Sequence, residues 1–206
     1  MKLNEKGLLV VLSGPSGVGK STVCKALFEK KSHKLVYSIS MTTRKPREGE
    51  VDGVDYFFVS KETFLKYIEE DLLLEWAEFV GHYYGTPKKY VEEQLALGSE
   101  VVLEIEVSGA LQVRSKMPEA VFIFIVPPKK QALYNRLLER GTEPEKKIQE
   151  RIDKADREFL LAHKYDYIVV NDNIDKAAER IISIIIAEHS KTERTIYKYM
   201  KMLGEE

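Results

Sequence analysis

A chain of 206 residues, 44% of them hydrophobic, is long enough to bury one core with modest insertions, so a single compact unit is the first expectation. Its 32 basic and 33 acidic residues leave a formal net charge of -1, which gives no general attraction to nucleic acid or to a membrane surface. The one cysteine, Cys24, excludes a disulfide within the chain and outlines no metal site; with an N-terminal apolar run too short for a signal peptide and no run of about 18 apolar residues, it points to a soluble, cytoplasmic protein.

The first predicted element is a strand at Leu8 to Leu12, apolar throughout and so suited to burial on both faces of a parallel sheet. Gly14-Pro15-Ser16-Gly17-Val18-Gly19-Lys20-Ser21 follows, with Thr22 next, and a helix is predicted from the lysine onward. This is the phosphate-binding loop in its required context between strand and helix. Its glycines let backbone N–H groups curl around a β-phosphate and the helix N-terminus adds positive potential, while Lys20 reaches β- and γ-oxygens and Ser21 offers its hydroxyl to Mg²⁺. The loop predicts nucleotide binding and leaves open whether the phosphoryl acceptor is water, a metabolite or another nucleotide.

Residues 40–85 break the apolar rhythm, being rich in Tyr, Phe, Glu and Arg, with short alternating strands such as Tyr56 to Val59; they read as a small inserted mixed unit. A helix is predicted from Pro87 to Leu97, with Thr86 as N-cap, Pro87 in first position and Gly98 beyond. The run Val101 to Val107 reads as a strand that sets Glu104 and Glu106 on one face, two acids that need a partner: water on Mg²⁺, a base or arginine, or a structural lysine. Val121 to Val126 and Tyr167 to Val170 are further buried strands. Between them lie predicted helices at about 129–140 and 144–162, which place Arg136 and Arg140 one turn apart and Arg151 on the following helix. Asn171-Asp172 ends the last strand, where such sheets bind ligands or simply turn, and a helix is predicted over 174–190. Alternating strand and helix give an α/β class. Residues 190–206 read only as an amphipathic extension.

The segment Ser40-Met41-Thr42-Thr43-Arg44-Lys45-Pro46-Arg47-Glu48-Gly49-Glu50, with Gly53, Asp55 and Tyr56, resembles the acceptor-site signature of the guanylate kinase family. The resemblance runs on through Glu75-Trp76-Ala77-Glu78-Phe79, Gly81-His82-Tyr83-Tyr84-Gly85-Thr86, Pro127-Pro128, Arg136 to Thr142 and Asn171-Asp172, about residues 7 to 188 in all. It implies a P-loop NTPase core with a parallel sheet (1–39, 97–128 and 162–206), an inserted GMP-binding domain (40–96) and a helical lid (129–161). It implies transfer of the γ-phosphoryl of MgATP to GMP. In that reading Gly14, Pro15, Ser16, Gly17, Val18, Gly19, Lys20, Ser21, Thr22 and Asn171 bind ATP. Ser40, Arg44, Arg47, Glu50, Tyr56, Glu75, Tyr84, Thr86 and Glu104 bind GMP, and Ser21 and, through water, Glu104 attend the Mg²⁺. Lys20, Arg44, Arg136, Arg140 and Arg151 carry the charge of the transferred group.

Plain chemistry agrees with several of these roles. Arginine forks and tyrosine hydroxyls suit a dianionic phosphate, and a carboxylate can accept from both the N1–H and N2–H₂ of guanine, whereas adenine would face it with a lone pair. The sequence departs from the family in having glutamate at 104 and 106 in place of aspartate, and Ser108 in place of glutamine. Three other readings are a kinase for a different small acceptor, a non-catalytic module with the same acceptor fold, and an NTPase switch. The intact loop with Lys20 and Ser21 speaks against the module.

Overall fold

The computed structural model describes residues 6–30, 34–139 and 145–204. Strand β1 (Leu9–Ser13) is completely buried and leads into helix α1 (Lys20–Glu29); the short β2 (Leu35–Tyr37) follows. Residues 41–87 then form a second unit of β3 (Met41–Thr42), β4 (Phe57–Phe58), helix α2 (Lys61–Glu69), β5 (Leu73–Phe79) and β6 (His82–Pro87). Helix α3 (Lys88–Ala96) returns the chain to β7 (Glu100–Glu104), α4 (Val107–Lys116) and β8 (Val121–Val126). Two further helices, α5 (Lys130–Glu139) and α6 (Glu145–Phe159), precede β9 (Tyr167–Val170), α7 (Ile174–His189) and α8 (Thr192–Leu203).

The main sheet is parallel throughout, in the order β2-β7-β1-β8-β9. Alternation along β1 explains its two-sided burial. Val10 and Leu12 pack with Cys24 and Leu27 of α1 and with Ala177 and Ile181 of α7, while Leu9 and Val11 pack with Val91 and Leu95 of α3 and Val113 of α4. Each face removes a run of branched side chains from water at roughly 25 cal/mol per Å², the main driving force for this layer. The second sheet, β4-β3-β6-β5, is mixed and has its own small core of Met41, Phe64 and Leu73. Helix α3, expected within the inserted segment, buries Val91 and Leu95 against strands of the main sheet. Among the described residues no helix is long and apolar enough to cross a membrane.

Three expectations are corrected. The strand expected over Val101 to Val107 stops at Glu104, because the neighbouring strand leaves the ladder there: Leu12 pairs with Glu104, Ile105 N–H still reaches the Leu12 carbonyl at 3.2 Å, and β1 then gives way to the glycine loop. Glu106 is the N-cap residue of α4, so Glu104 and Glu106 do not share a strand face. Thr86 lies in β6 and Pro87, not Thr86, is the cap residue of α3; the threonine hydroxyl is engaged elsewhere. The strand expected from Tyr56 to Val59 contracts to Phe57–Phe58. Helix α2 was hidden by its aromatic composition, although Ser60 caps it by accepting from the Thr63 N–H at 3.1 Å.

The carboxyl-terminal extension is a helix held by one buried acid. Glu188 is 1% exposed and accepts from the Tyr167 hydroxyl at 2.5 Å and from Arg194 at 3.1 Å, with the Lys191 ammonium at 2.6 Å. Glu188→Ala should lower stability by about 1–3 kcal/mol, since the freed cations can turn to water but the tyrosine hydroxyl loses its acceptor. A urea titration should show the drop with kcat/KM unchanged, because none of these groups lines the clefts described below.

Candidate active site

The glycine loop between β1 and α1 is shaped by conformations that only glycine supplies cheaply. Gly14 has φ 149°, and a Cβ there would lie 2.3 Å from the Ile125 carbonyl oxygen; Gly19, with φ 93°, opens α1. Lys20 folds back on its own loop, its Nζ donating to the Gly14 carbonyl at 2.7 Å and the Pro15 carbonyl at 3.2 Å. Burial lowers the Lys20 pKa from the usual lysine value, opposed by the charges of Glu158, Glu104 and Glu106. Asn171 is 5% exposed and donates its Nδ2 to the Val18 carbonyl at 2.9 Å, so the strand-end asparagine braces the loop from beneath. Arg151 reaches across from α6 to the Ser16 Oγ at 3.2 Å. Of Arg136 the described part is its backbone in α5, and Arg140 lies outside the described residues.

Glu104 ends β7 facing the loop. Its Oε1 accepts from the Ser21 hydroxyl at 2.5 Å and its Oε2 from the Tyr37 hydroxyl at 2.9 Å. Ser16, Gly17, Gly19, Lys20, Ser21, Thr22 and the segment Glu104 to Glu106 line one cleft of about 320 Å³. Glu106 pairs outward with Lys154 of α6 at 2.7 Å.

A second cleft, of about 400 Å³, opens on the other side of that same segment, and its walls include Ser40, Tyr56, Glu75, Tyr84 and Gly109. At one end Arg44 meets Glu50 in a two-pronged pair, Nη1 to Oε2 at 2.9 Å and Nη2 to Oε1 at 2.8 Å, and the Arg47 N–H adds a bond to Oε2 at 2.7 Å. Glu50 is therefore held down to about 2, by the Arg44 hydrogen bonds first and the Arg47 amide second. The Arg44 guanidinium lies 5.4 Å from the Tyr56 ring centre, and Tyr56 and Tyr84 rings are 6.2 Å apart. Glu50 thus fixes the arginine that faces the tyrosines; a carboxylate by itself would repel a phosphate. Arg47 stays exposed on the turn.

At the other end sits Glu75, only 7% exposed. Its Oε1 accepts from Thr86 Oγ1 at 2.7 Å. β5 carries one extra residue between Leu73, paired with Pro87, and Trp76, paired with Gly85, and this irregularity turns Glu75 inward. Burial raises its pKa above the ordinary 4.5, with the Thr86 bond pulling the other way. A buried acid with one fixed partner and a free face is a prepared acceptor for paired N–H donors.

Sequence reasoning passed over four contributors. Tyr37 and Glu158 stand beside Glu104 and Lys20, while Gly109 and Gln112 of α4 stand against β5; the only signal in the sequence is a glycine inside an otherwise helix-compatible stretch, Val107 to Lys116. Cys24 is buried, its thiol pushed up to about 12 by burial first and Glu104 second.

The family model described as guanylate kinase matches residues 6–188. The chain belongs to the guanylate kinase family. It is 64% identical over 204 residues to a guanylate kinase of Aster yellows witches'-broom phytoplasma, covering 98% of this chain and 97% of that one. A guanylate kinase of Bacillus subtilis is 54% identical over 201 residues, with 98% of each chain covered. Among solved structures, guanylate kinase from Anaplasma phagocytophilum superposes with a TM-score of 0.72 at 35% identity, covering 97% of this chain and 96% of that one.

Two outcomes follow from this geometry. Glu50→Ala should release Arg44 and raise the KM for the acceptor about tenfold while leaving the KM for the donor nucleotide unchanged, read from initial rates with each substrate varied. Glu75→Gln should raise Tm at neutral pH by about 2–4 °C. Because its pKa is raised in the folded state, Glu75 makes a contribution to stability that is complete below pH 4.5 and is lost as pH rises through the folded value; the glutamine variant lacks that loss. The Tm difference should therefore grow from pH 4.5 toward neutrality in calorimetric scans.

Proposed function

We propose that this chain transfers the γ-phosphoryl of MgATP to GMP, giving ADP and GDP for the purine nucleotide pool of the cytoplasm. The observation that carries this reading is the shared wall: the loop cleft and the Glu75 cleft are both lined by Glu104, Ile105 and Glu106. Two nucleotides seated in them would bring their phosphates together over the carboxyl end of β7, where parallel α/β sheets bind ligands.

The roles follow from the chemistry of each group. Gly14 to Thr22 and Lys20 cradle the triphosphate through backbone N–H groups and one ammonium, and Asn171 holds the loop's shape for it. Arg44, Arg47, Tyr56 and Tyr84 clamp the GMP phosphate, with Glu50 aligning Arg44. Glu75 accepts from the N1–H and N2–H₂ of guanine, with Ser40 and Thr86 close to O6; adenine would leave the buried carboxylate against a lone pair.

Ser21 and Glu104 fit a magnesium site, because one hydroxyl and one carboxylate beside a phosphate cradle are the sparse oxygen set that this ion takes when phosphates and water complete its shell. When bound, the ion neutralises charge on the β- and γ-phosphate oxygens. Arg136, Arg140 and Arg151 of the lid, residues 129–161, would add charge to the transferred group, and the core and acceptor units would be 1–39, 97–128, 162–206 and 40–96. No general base is needed: with a second pKa near ~6 the GMP phosphate is largely dianionic at neutral pH. Its oxygen attacks the γ-phosphorus as the bond to the β–γ bridging oxygen breaks, and ADP leaves. The residues position and neutralise.

A coupled assay of ADP formation tests the reading, run with MgATP and with GMP, AMP, CMP, UMP or no acceptor. Turnover with GMP and little with the others is expected; ATP consumption without acceptor would replace the proposal with an NTPase switch, and silence throughout with a binding module. Lys20→Ala should lose most turnover, about 10²-fold or more, yet still bind GMP by calorimetry.

A further inference from the structure

We infer that Gly109, in the first turn of α4, is a specificity-determining position: its missing side chain makes the space in which the Glu75 carboxylate is held, so α4 sets the position of the guanine reader. The inference rests on Glu75 being that reader. A Cβ built on Gly109 would lie 2.7 Å from Glu75 Oε2, 3.4 Å from Cδ and 3.5 Å from Cγ. That contact is closer than real carbon–oxygen neighbours allow, and the atom in the way is the mobile end of a side chain. A residue larger than glycine would therefore leave the fold in place and move the carboxylate.

The backbone supplies no other reason for glycine here. Gly109 is absent from the residues with positive φ and lies within a regular helix, where glycine costs about 1 kcal/mol relative to alanine. The helix gives up that stability and gains room for an acid. Gly85 is a useful contrast: a Cβ there would meet the Glu75 carbonyl oxygen at 2.8 Å, Leu73 Cδ1 at 3.1 Å and Phe64 Cζ at 3.1 Å, so its requirement is one of sheet packing.

Helix α4 also fixes the backbone beside the reader. Gln112, three residues on, accepts from the Trp76 N–H at 3.1 Å and donates to the Trp76 carbonyl at 3.0 Å, serving as a one-residue strand partner on the free edge of β5. Backbone and carboxylate of the acid are thereby both referred to α4. That helix begins three residues after Glu104, so the acid by the phosphate loop and the acid that reads guanine share one rigid reference.

The test uses the full chain and initial rates with GMP, AMP and ATP each varied. Gly109→Ala should raise the KM for GMP about tenfold to a hundredfold, lower the GMP-over-AMP ratio of kcat/KM to match, and leave the KM for ATP within about twofold. Glu75→Asp withdraws the carboxylate by one methylene, so adding Gly109→Ala to it should change the KM for GMP by less than about twofold; this non-additivity is the mark of a shared space and would not accompany a general packing defect. An unchanged KM in Gly109→Ala, or an equal penalty in both backgrounds, would overturn the inference. Glu75→Gln separates the two readings. Strict GMP preference retained in that variant defeats the reading of Glu75 itself; preference lost there but kept in Gly109→Ala defeats only the role of Gly109.

Discussion

Where β7 stops determines the rest of the site. It lies beside β1 in a parallel pair, and the pairing must end at Glu104 because β1 departs into the glycine loop at that level. The last strand residue is left facing the loop, and its carboxylate takes the Ser21 hydroxyl on one oxygen and the Tyr37 hydroxyl on the other. The next element, α4, then starts close enough to the second sheet to touch Glu75 and Trp76. Two clefts are consequently built on one short stretch of backbone.

The two clefts solve recognition differently. The loop side relies on backbone N–H groups held by glycine conformations, so its selectivity is for phosphate. The other side relies on a buried acid, and burial costs that acid part of its tendency to ionise. In the proposed reading that cost is the basis of selectivity, since only a partner with adjacent donors compensates it fully. Arg44 is treated in the opposite way: Glu50 and two aromatic rings surround its guanidinium, so it is aligned and stays charged.

Much of this was legible in the sequence, for reasons that differ by element. β8 is legible to the residue because a strand covered on both faces is a continuous apolar run; β9 shows the same apolar run, although as the edge strand it leaves Ile168 and Val170 exposed. The phosphate loop was legible because its spacing is itself the geometry. The end of β7 was not, since apolar Ile105 and Val107 continue the pattern after the ladder has lost its partner; only the tertiary pairing with β1 decides it. Thr86 read as a cap because threonine before proline-led helices usually is one, and here a buried acid eleven residues earlier claims its hydroxyl. The role of Gly109 carries no local signal, because the space it leaves serves a side chain in another sheet, a relation no local pattern encodes.

The most direct measurement is a proton spectrum of ¹⁵N-labelled GMP bound to the protein, edited for the guanine N1–H, compared with the same complex of Glu75→Ala at saturating GMP. The account predicts a low-field imino proton protected from exchange in the parent complex and absent from the variant complex. A protected imino proton that persists unchanged in Glu75→Ala would place guanine recognition on other residues and contradict the account.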